Sequence, residues 1–120
     1  MNDHSTTINQ LKQLVDDFID QRDWHQFHSP KNLSMNIAAE AAELMEHFLW
    51  CSTQEASAIV NKQRSDIQDE LADILMAVCT FANATGIDLS SALVHKLEKH
   101  KIKYPIEKCK GKSDKYTTYT

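Results

Sequence analysis

The sequence predicts an all-α chain of four to five helices packed as a bundle. Three observations carry that prediction. The 120 residues include only two Gly and two Pro, and both Pro lie outside the long apolar stretches. Turns and breakers are therefore too few for many short strands. Apolar residues recur at spacings of three and four, the period of a helix with one buried face. Three times a Ser or Thr precedes a Glu or Gln by three residues where such a stretch opens, the pattern of a helix capping box. A chain of this length, 42% hydrophobic, can bury one small core. We place a helical domain at 1–105 and a polar tail at 106–120.

Thr7 and Gln10 make the first capping box, and Ile8, Leu11, Leu14 (or Val15) and Phe18 follow at helical spacing, so helix one runs from Thr7 to Gln21. RDWHQFHSPK, residues 22–31, reads as an aromatic and polar loop that Pro30 keeps from continuing as helix. Asn32 or Ser34 caps helix two, which is expected to reach Trp50. Ser52 with Glu55 opens a short helix to Lys62, and Ser65 with Gln68 opens the next, which ends at Gly86. Asp88 or Ser90 starts the last helix, which ends near Tyr104 and Pro105. The remainder, IEKCKGKSDKYTTYT, reads as a polar tail or a strap over a neighbouring subunit.

Composition excludes several classes. A net charge of −4 disfavours a polymeric nucleic-acid partner or an anionic membrane surface. It leaves open a small anionic ligand, because divalent cations reverse the local sign. Cys51, Cys79 and Cys109 show no CxxC or metal-ligand spacing, which argues against a disulfide or zinc framework. Cys79, inside LMAVCTFA, is expected in the core. No apolar run is long enough to cross a bilayer, and MNDHSTTINQ lacks a signal-peptide apolar region. A cytoplasmic protein is expected.

The informative residues are acids in apolar helices. On a helical wheel, Leu33, Ile37, Ala41, Leu44 and Phe48 share one face of helix two, and Ala38, Ala42, Met45 and Leu49 a second. A helix apolar on two faces is expected to be buried between neighbours. Glu40, Glu43, His47 and Trp50 form a stripe beside the first face. In the later helix, Ile67, Leu71, Ile74, Val78 and Phe81 make the expected core stripe. Glu70 and Asp73 flank it, with Asp66 and Ala77 alongside. Acids three residues apart share a helix face and repel, and a partly buried carboxylate is costly unless it meets a cation or a proton. Two such pairs on adjacent antiparallel helices would form one dense negative site. All-oxygen ligands select a hard cation, Mg²⁺ or Mn²⁺ rather than zinc. A di-iron bundle would need Glu-x-x-His in two helices, and neither pair has a His there.

These residues match a known pattern. Glu40-Ala-Ala-Glu43, then 26 residues, then Glu70-Leu-Ala-Asp73, resembles the all-α nucleotide pyrophosphohydrolases of the MazG-like superfamily. The block from Arg22 to Leu33 (RDWHQFHSPKNL), followed by Phe48-Leu49-Trp50, resembles the dCTP pyrophosphatase branch. The similarity spans Leu11 to Pro105. It implies a fold that forms a homodimer or homotetramer through helix packing, and Mg²⁺ on Glu40, Glu43, Glu70 and Asp73. It further implies a nucleoside triphosphate substrate, dCTP or a related dNTP, split into monophosphate and pyrophosphate. Trp24, His28 and Trp50 stand where the branch builds its base pocket. Lys96 and Lys103 match a basic signature whose middle position, usually Asn, is here His100. Tyr104 closes the block as Tyr-Pro and is grouped with the substrate-binding residues. Ala77 stands where close relatives have Tyr, and Val15 where some have His.

The expected chemistry is attack of water on the α-phosphorus, with pyrophosphate leaving past Lys96 and Lys103 and Glu43 nearest the water, a place that nothing in the sequence separates from Glu40's. Without metal, each pair of unit charges on acids and triphosphate at 4 Å costs about 4 kcal/mol at an effective dielectric near 20. Tyr116 and Tyr119 are further stacking candidates; Lys99, Lys101 and Lys108 read as a solvated face. The competing class is a non-catalytic helical dimerisation or adaptor module, which explains the two apolar faces of helix two but not the paired acids.

Overall fold

The computed structural model describes residues 1–119 and is all helical, with no strand among those residues. Its helices are α1 (Ile8–Gln21), α2 (Pro30–Glu46), α3 (Ala56–Lys62), α4 (Arg64–Thr85), α5 (Leu89–Lys103) and the single turn α6 (Ile106–Cys109). Short 3₁₀ turns lie at His25–Phe27, Thr53–Glu55 and Tyr116–Tyr119. The chain divides into two compact units, Met1–Gly86 and Ile87–Thr120.

In the first unit, α4 is the hub, packed against α1, α2 and α3. The Thr7 capping box forms as expected: Gln10 N–H donates to Thr7 Oγ1 at 3.1 Å, and Thr7 N–H to Gln10 Oε1 at 2.7 Å. Helix α2 begins earlier than expected. Ser29 is its cap, accepting from Asn32 N–H at 3.1 Å, and Pro30 occupies the first helical position. Proline there has its φ pre-set, and its missing N–H is one the helix end would leave unpaired anyway. Helix α2 also stops sooner, at Glu46, and a turn runs from His47 toward Cys51. Trp50 therefore leaves the acid stripe and is 96% exposed. The expected Ser65 capping box is absent. Helix α4 starts at Arg64 behind Gln63, the single residue separating it from α3, so Ser65 already lies inside the first turn. Gly86 ends α4 in the left-handed conformation (φ +71°) with its N–H on Ala82 C=O.

Among the described residues, the buried side chains are Ile19, Leu33, Ala77, Cys79, Thr80 and Ala82, with Cys79 in the core as expected. In α1 the inward residues are Leu11, Val15 and Ile19 rather than Leu14 or Phe18. The inward stripe of α4 is rotated from the expected one. Ile67, Glu70, Ile74, Ala77 and Phe81 turn inward, whereas Leu71 and Leu75 stand 59% and 45% exposed. The second apolar face of α2 is exposed within this chain, Met45 and Leu49 by more than half, and so is Ala41. Glu40 neighbours Asp73 and Glu43 neighbours Glu70. Rising numbers on one helix meet falling numbers on the other, so α2 and α4 run antiparallel.

The second unit comprises α5 and the residues after it. Asp88 is the cap, accepting from Ser91 N–H at 2.8 Å. The tail folds back as one turn of helix and a 3₁₀ turn. The Tyr116 and Tyr119 rings meet Tyr104 edge-on at 6.2 Å each, and Lys108 Nζ donates to Tyr119 C=O at 3.0 Å.

Candidate metal centre and base cavity

Glu40, Glu43, Glu70 and Asp73 converge. One carboxylate oxygen from each lies within 4.8 Å of all the others. The antiparallel packing produces this, because two acid pairs, each spaced by three, register against one another across the α2–α4 interface. Glu40 and Glu70 are half-buried, and each has an Oε2 atom that is buried without a hydrogen-bond partner. Burial pushes the Glu40 carboxyl above its usual 4.5, and the charges of Glu43 and Asp73 add to the rise. Burial does the same to Glu70, reinforced by Glu43 and opposed by His47.

A hard divalent cation fits this donor set. All four donors are carboxylate oxygens, the set that selects a hard cation, and Glu40 Oε2 and Glu70 Oε2 are buried with no partner from the protein. No ion of like sign would relieve the repulsion that raises Glu40 and Glu70.

The cluster lies between two cavities. One, of about 150 Å³, is lined by Trp24, His28, Leu33, Asn36, Ala77 and Thr80 among others, together with Glu40 and Asp73. The other, about 460 Å³ and open, is lined by Glu43, Glu46, His47, Gln63 and Glu70. Asp23 takes a left-handed turn (φ +54°), a conformation Asp tolerates, just before Trp24. The Trp24 indole stands edge-on to Phe18 at 5.7 Å, while Arg22 covers the Phe18 ring at 3.8 Å. His28 Nδ1 is buried without a partner.

The structure thus brings together the four acids, and it puts Trp24 and His28 in a cavity that reaches them. Trp50 lines neither cavity. Lys96, His100, Lys103 and Tyr104 belong to the second unit. There Lys96, His100 and Lys103 share one face of α5, the His100 ring is 5.9 Å from Tyr104, and Lys103 Nζ sits 4.6 Å over Tyr116. Sequence reasoning missed Asn36 and Thr80. Asn36 was findable by extending the acid stripe of α2 back one turn from Glu40. Thr80 was findable one turn beyond Ala77.

An all-helical chain with two acid pairs facing each other across antiparallel helices, beside an aromatic cavity, defines a class of acid-cluster helical proteins. The chain belongs to the MazG-like family, whose model matches residues 35–118. It is 34% identical over 113 residues to dCTP pyrophosphatase 1 of Mus musculus and 32% identical to that of Homo sapiens. Each match covers 92% of this chain and 66% of the relative, so the chain spans just under two thirds of the length of these relatives. The fold also matches the crystal structure of a pyrophosphatase from Archaeoglobus fulgidus. That match has a TM-score of 0.80 and 31% identity, covering 88% of this chain and 98% of that one.

Proposed function

We propose that this chain hydrolyses a deoxynucleoside triphosphate, dCTP or a close relative, to the monophosphate and pyrophosphate, with Mg²⁺ or Mn²⁺ held by Glu40, Glu43, Glu70 and Asp73. The observation that carries this reading is the convergence of four carboxylate oxygens within 4.8 Å, two of those acids also lining the cavity that holds Trp24 and His28. The similarity to dCTP pyrophosphatases and to a pyrophosphatase of the same fold supports it.

Glu40, Glu43, Glu70 and Asp73 would hold the ion, which would supply charge to polarise phosphate oxygens and to acidify a nearby water. Glu43 faces the open cavity, and we assign it to orient the attacking water. Trp24 and His28 receive the base: a cavity of roughly 150 Å³ takes one benzene-sized ring, which favours a pyrimidine over a purine; Asn36 offers hydrogen bonds to its edge, and Thr80 Oγ1, which donates to Met76 C=O at 2.8 Å, can accept one. Trp50, with its indole exposed, is a second stacking surface. Lys96 and Lys103, with His100 between them and Tyr104 beside, counter the charge of the departing pyrophosphate. The role is nucleotide-pool control or removal of aberrant nucleotides. We further propose a homodimer or homotetramer, supported by the exposed apolar residues Met45, Leu49, Leu71 and Leu75 and checked by light scattering on the purified protein.

The test is pyrophosphate release from a panel of canonical and modified nucleoside triphosphates with Mg²⁺ and with EDTA. Release from pyrimidine deoxynucleotides, abolished by EDTA and by Glu40→Gln, is expected. No release from any member would remove the enzyme reading. Melting that is unmoved by Mg²⁺ and nucleotide would then favour an adaptor module.

A further inference from the structure

His47 and Gln63 stand outside the four acids, yet both line the open cavity beside them. His47 is the residue at which α2 ends, one turn beyond Glu43 and on its stripe. Its Nδ1 lies 2.7 Å from Gln63 Oε1, a hydrogen bond that fixes the plane of the ring. Its Nε2 then faces Glu70 Oε1 at 3.7 Å, with both side chains about four-fifths buried. Gln63 is the single residue between α3 and α4, and its side chain makes no capping bond to the helix it precedes. The amide reaches back to the end of α2 instead. Three helix ends are thereby tied together at one carboxylate. Glu70 Oε1 faces the imidazole at ion-pair distance, a pair made when the ring carries a proton on both nitrogens, and Oε2 is left buried and unpartnered.

We propose that His47, itself anchored by Gln63, is a positioning residue for the metal centre: it holds Glu70 so that the carboxylate's second oxygen is presented to the ion. The inference rests on the reading of the four acids as a metal site. Its physical basis is that a ligating carboxylate left to rotate loses affinity, whereas one fixed by an outer partner keeps it. Removing such partners typically costs about 10- to 100-fold in metal affinity. His47 touches neither substrate nor reacting atoms in this scheme, so its loss acts through Glu70 alone.

The experiment titrates Mn²⁺ into the nucleotide-free protein and reads the unbound ion by electron paramagnetic resonance. It compares wild type with Glu40→Gln, His47→Ala, His47→Phe, His47→Gln and Gln63→Ala, each checked for helicity by circular dichroism. His47→Ala and His47→Phe are expected to weaken Mn²⁺ binding about tenfold, and Gln63→Ala less. His47→Gln, which keeps a donor at the reach of Nε2, is expected to recover part of the loss. In turnover, the His47 variants should need more Mg²⁺ for half-maximal rate while approaching wild-type kcat at saturating Mg²⁺. Wild-type Mn²⁺ affinity in both His47→Ala and His47→Phe overturns the proposal, as does recovery in His47→Phe alone, since the ring would then only fill space. Wild type that binds no Mn²⁺, or binds it equally well as Glu40→Gln, overturns the metal-site reading itself and this inference with it.

Discussion

On α2 and α4, charged side chains stand among apolar ones and turn toward a packed interface; on α5, they cover a helix that buries nothing in its own unit. Glu40 and Glu70 are half-buried, lack partners on one oxygen each, and sit above their ordinary pKa. Lys96, His100 and Lys103 are exposed. Nearby charge is handled at the surface, as in the Lys101–Glu98 pair at 2.7 Å with both side chains more than half exposed. Such a pair contributes under about 1 kcal/mol. An acid kept where burial and like charge both oppose it carries a cost that a cation or a proton relieves, whereas a lysine on an open helix carries none. The two regions thus differ in how firmly geometry commits their residues to a task.

The largest effect should come from the committed region. Glu40→Gln or Asp73→Asn each removes one charged ligand from a cluster whose members lie within 4.8 Å. Pyrophosphate release should fall by at least about 10²-fold with helicity by circular dichroism unchanged. Full turnover in either variant would break the contrast by making the buried acids idle.

The exposed region should show a smaller loss. If the lysines meet the phosphates as proposed, Lys96→Ala or Lys103→Ala should cost about 1.5–3 kcal/mol, or about 10- to 100-fold in kcat/KM, with the melting temperature of Lys96→Ala nearly unchanged because that side chain is exposed. Unchanged kcat/KM in both would return α5 to a merely solvated face.

Trp24→Ala sharpens the comparison at the border of the cavity. Stacking a base on an aromatic ring is worth about 1–3 kcal/mol, so KM should rise about tenfold with kcat less affected. A fall in kcat at constant KM would mean that the indole serves packing against Phe18 rather than the base.

The same contrast explains what was legible in the sequence. Helix existence and the acid pairs were readable because local rules set them: capping at Thr7, Asp88 and Gly86, and spacing of three for Glu40/Glu43 and Glu70/Asp73. Boundaries failed where one local signal displaced another. Pro30 served as a helix start because Ser29 capped it, and Ser65 lost its capping role because Gln63 ended α3 one residue before α4. The inward face of α4 was misjudged because hydrophobicity alone chose Leu71 over Glu70. Packing against α2 chose the acid instead, and the leucine faces outward in the single chain. Trp50 was placed on the acid stripe by extending α2 four residues too far. His47 and Gln63 are 16 residues apart in sequence, a pairing no local pattern signals.

The smallest expected effect is on stability, and its sign separates a buried acid from an exposed one. Glu40 and Glu70 have folded-state pKa values raised above 4.5, first by burial. Between pH 4.5 and the raised values the folded chain holds protons that the unfolded chain has released. Stability tied to these groups is therefore complete below pH 4.5 and is lost as pH rises through that window. In metal-free buffer the melting temperature of wild type should fall through these groups on going from about pH 4.5 to neutrality, and that of Glu40→Gln should fall less. At neutral pH the Gln variant should melt above wild type, with the gap closing toward pH 4.5. Millimolar Mg²⁺ should reverse the order, because only wild type retains the full ligand set and gains stability from the bound ion. A Glu40→Gln variant that melts below wild type at neutral pH without metal would mean the carboxylate is already satisfied by the protein, and the acids of α2 and α4 would differ from the lysines of α5 in burial alone.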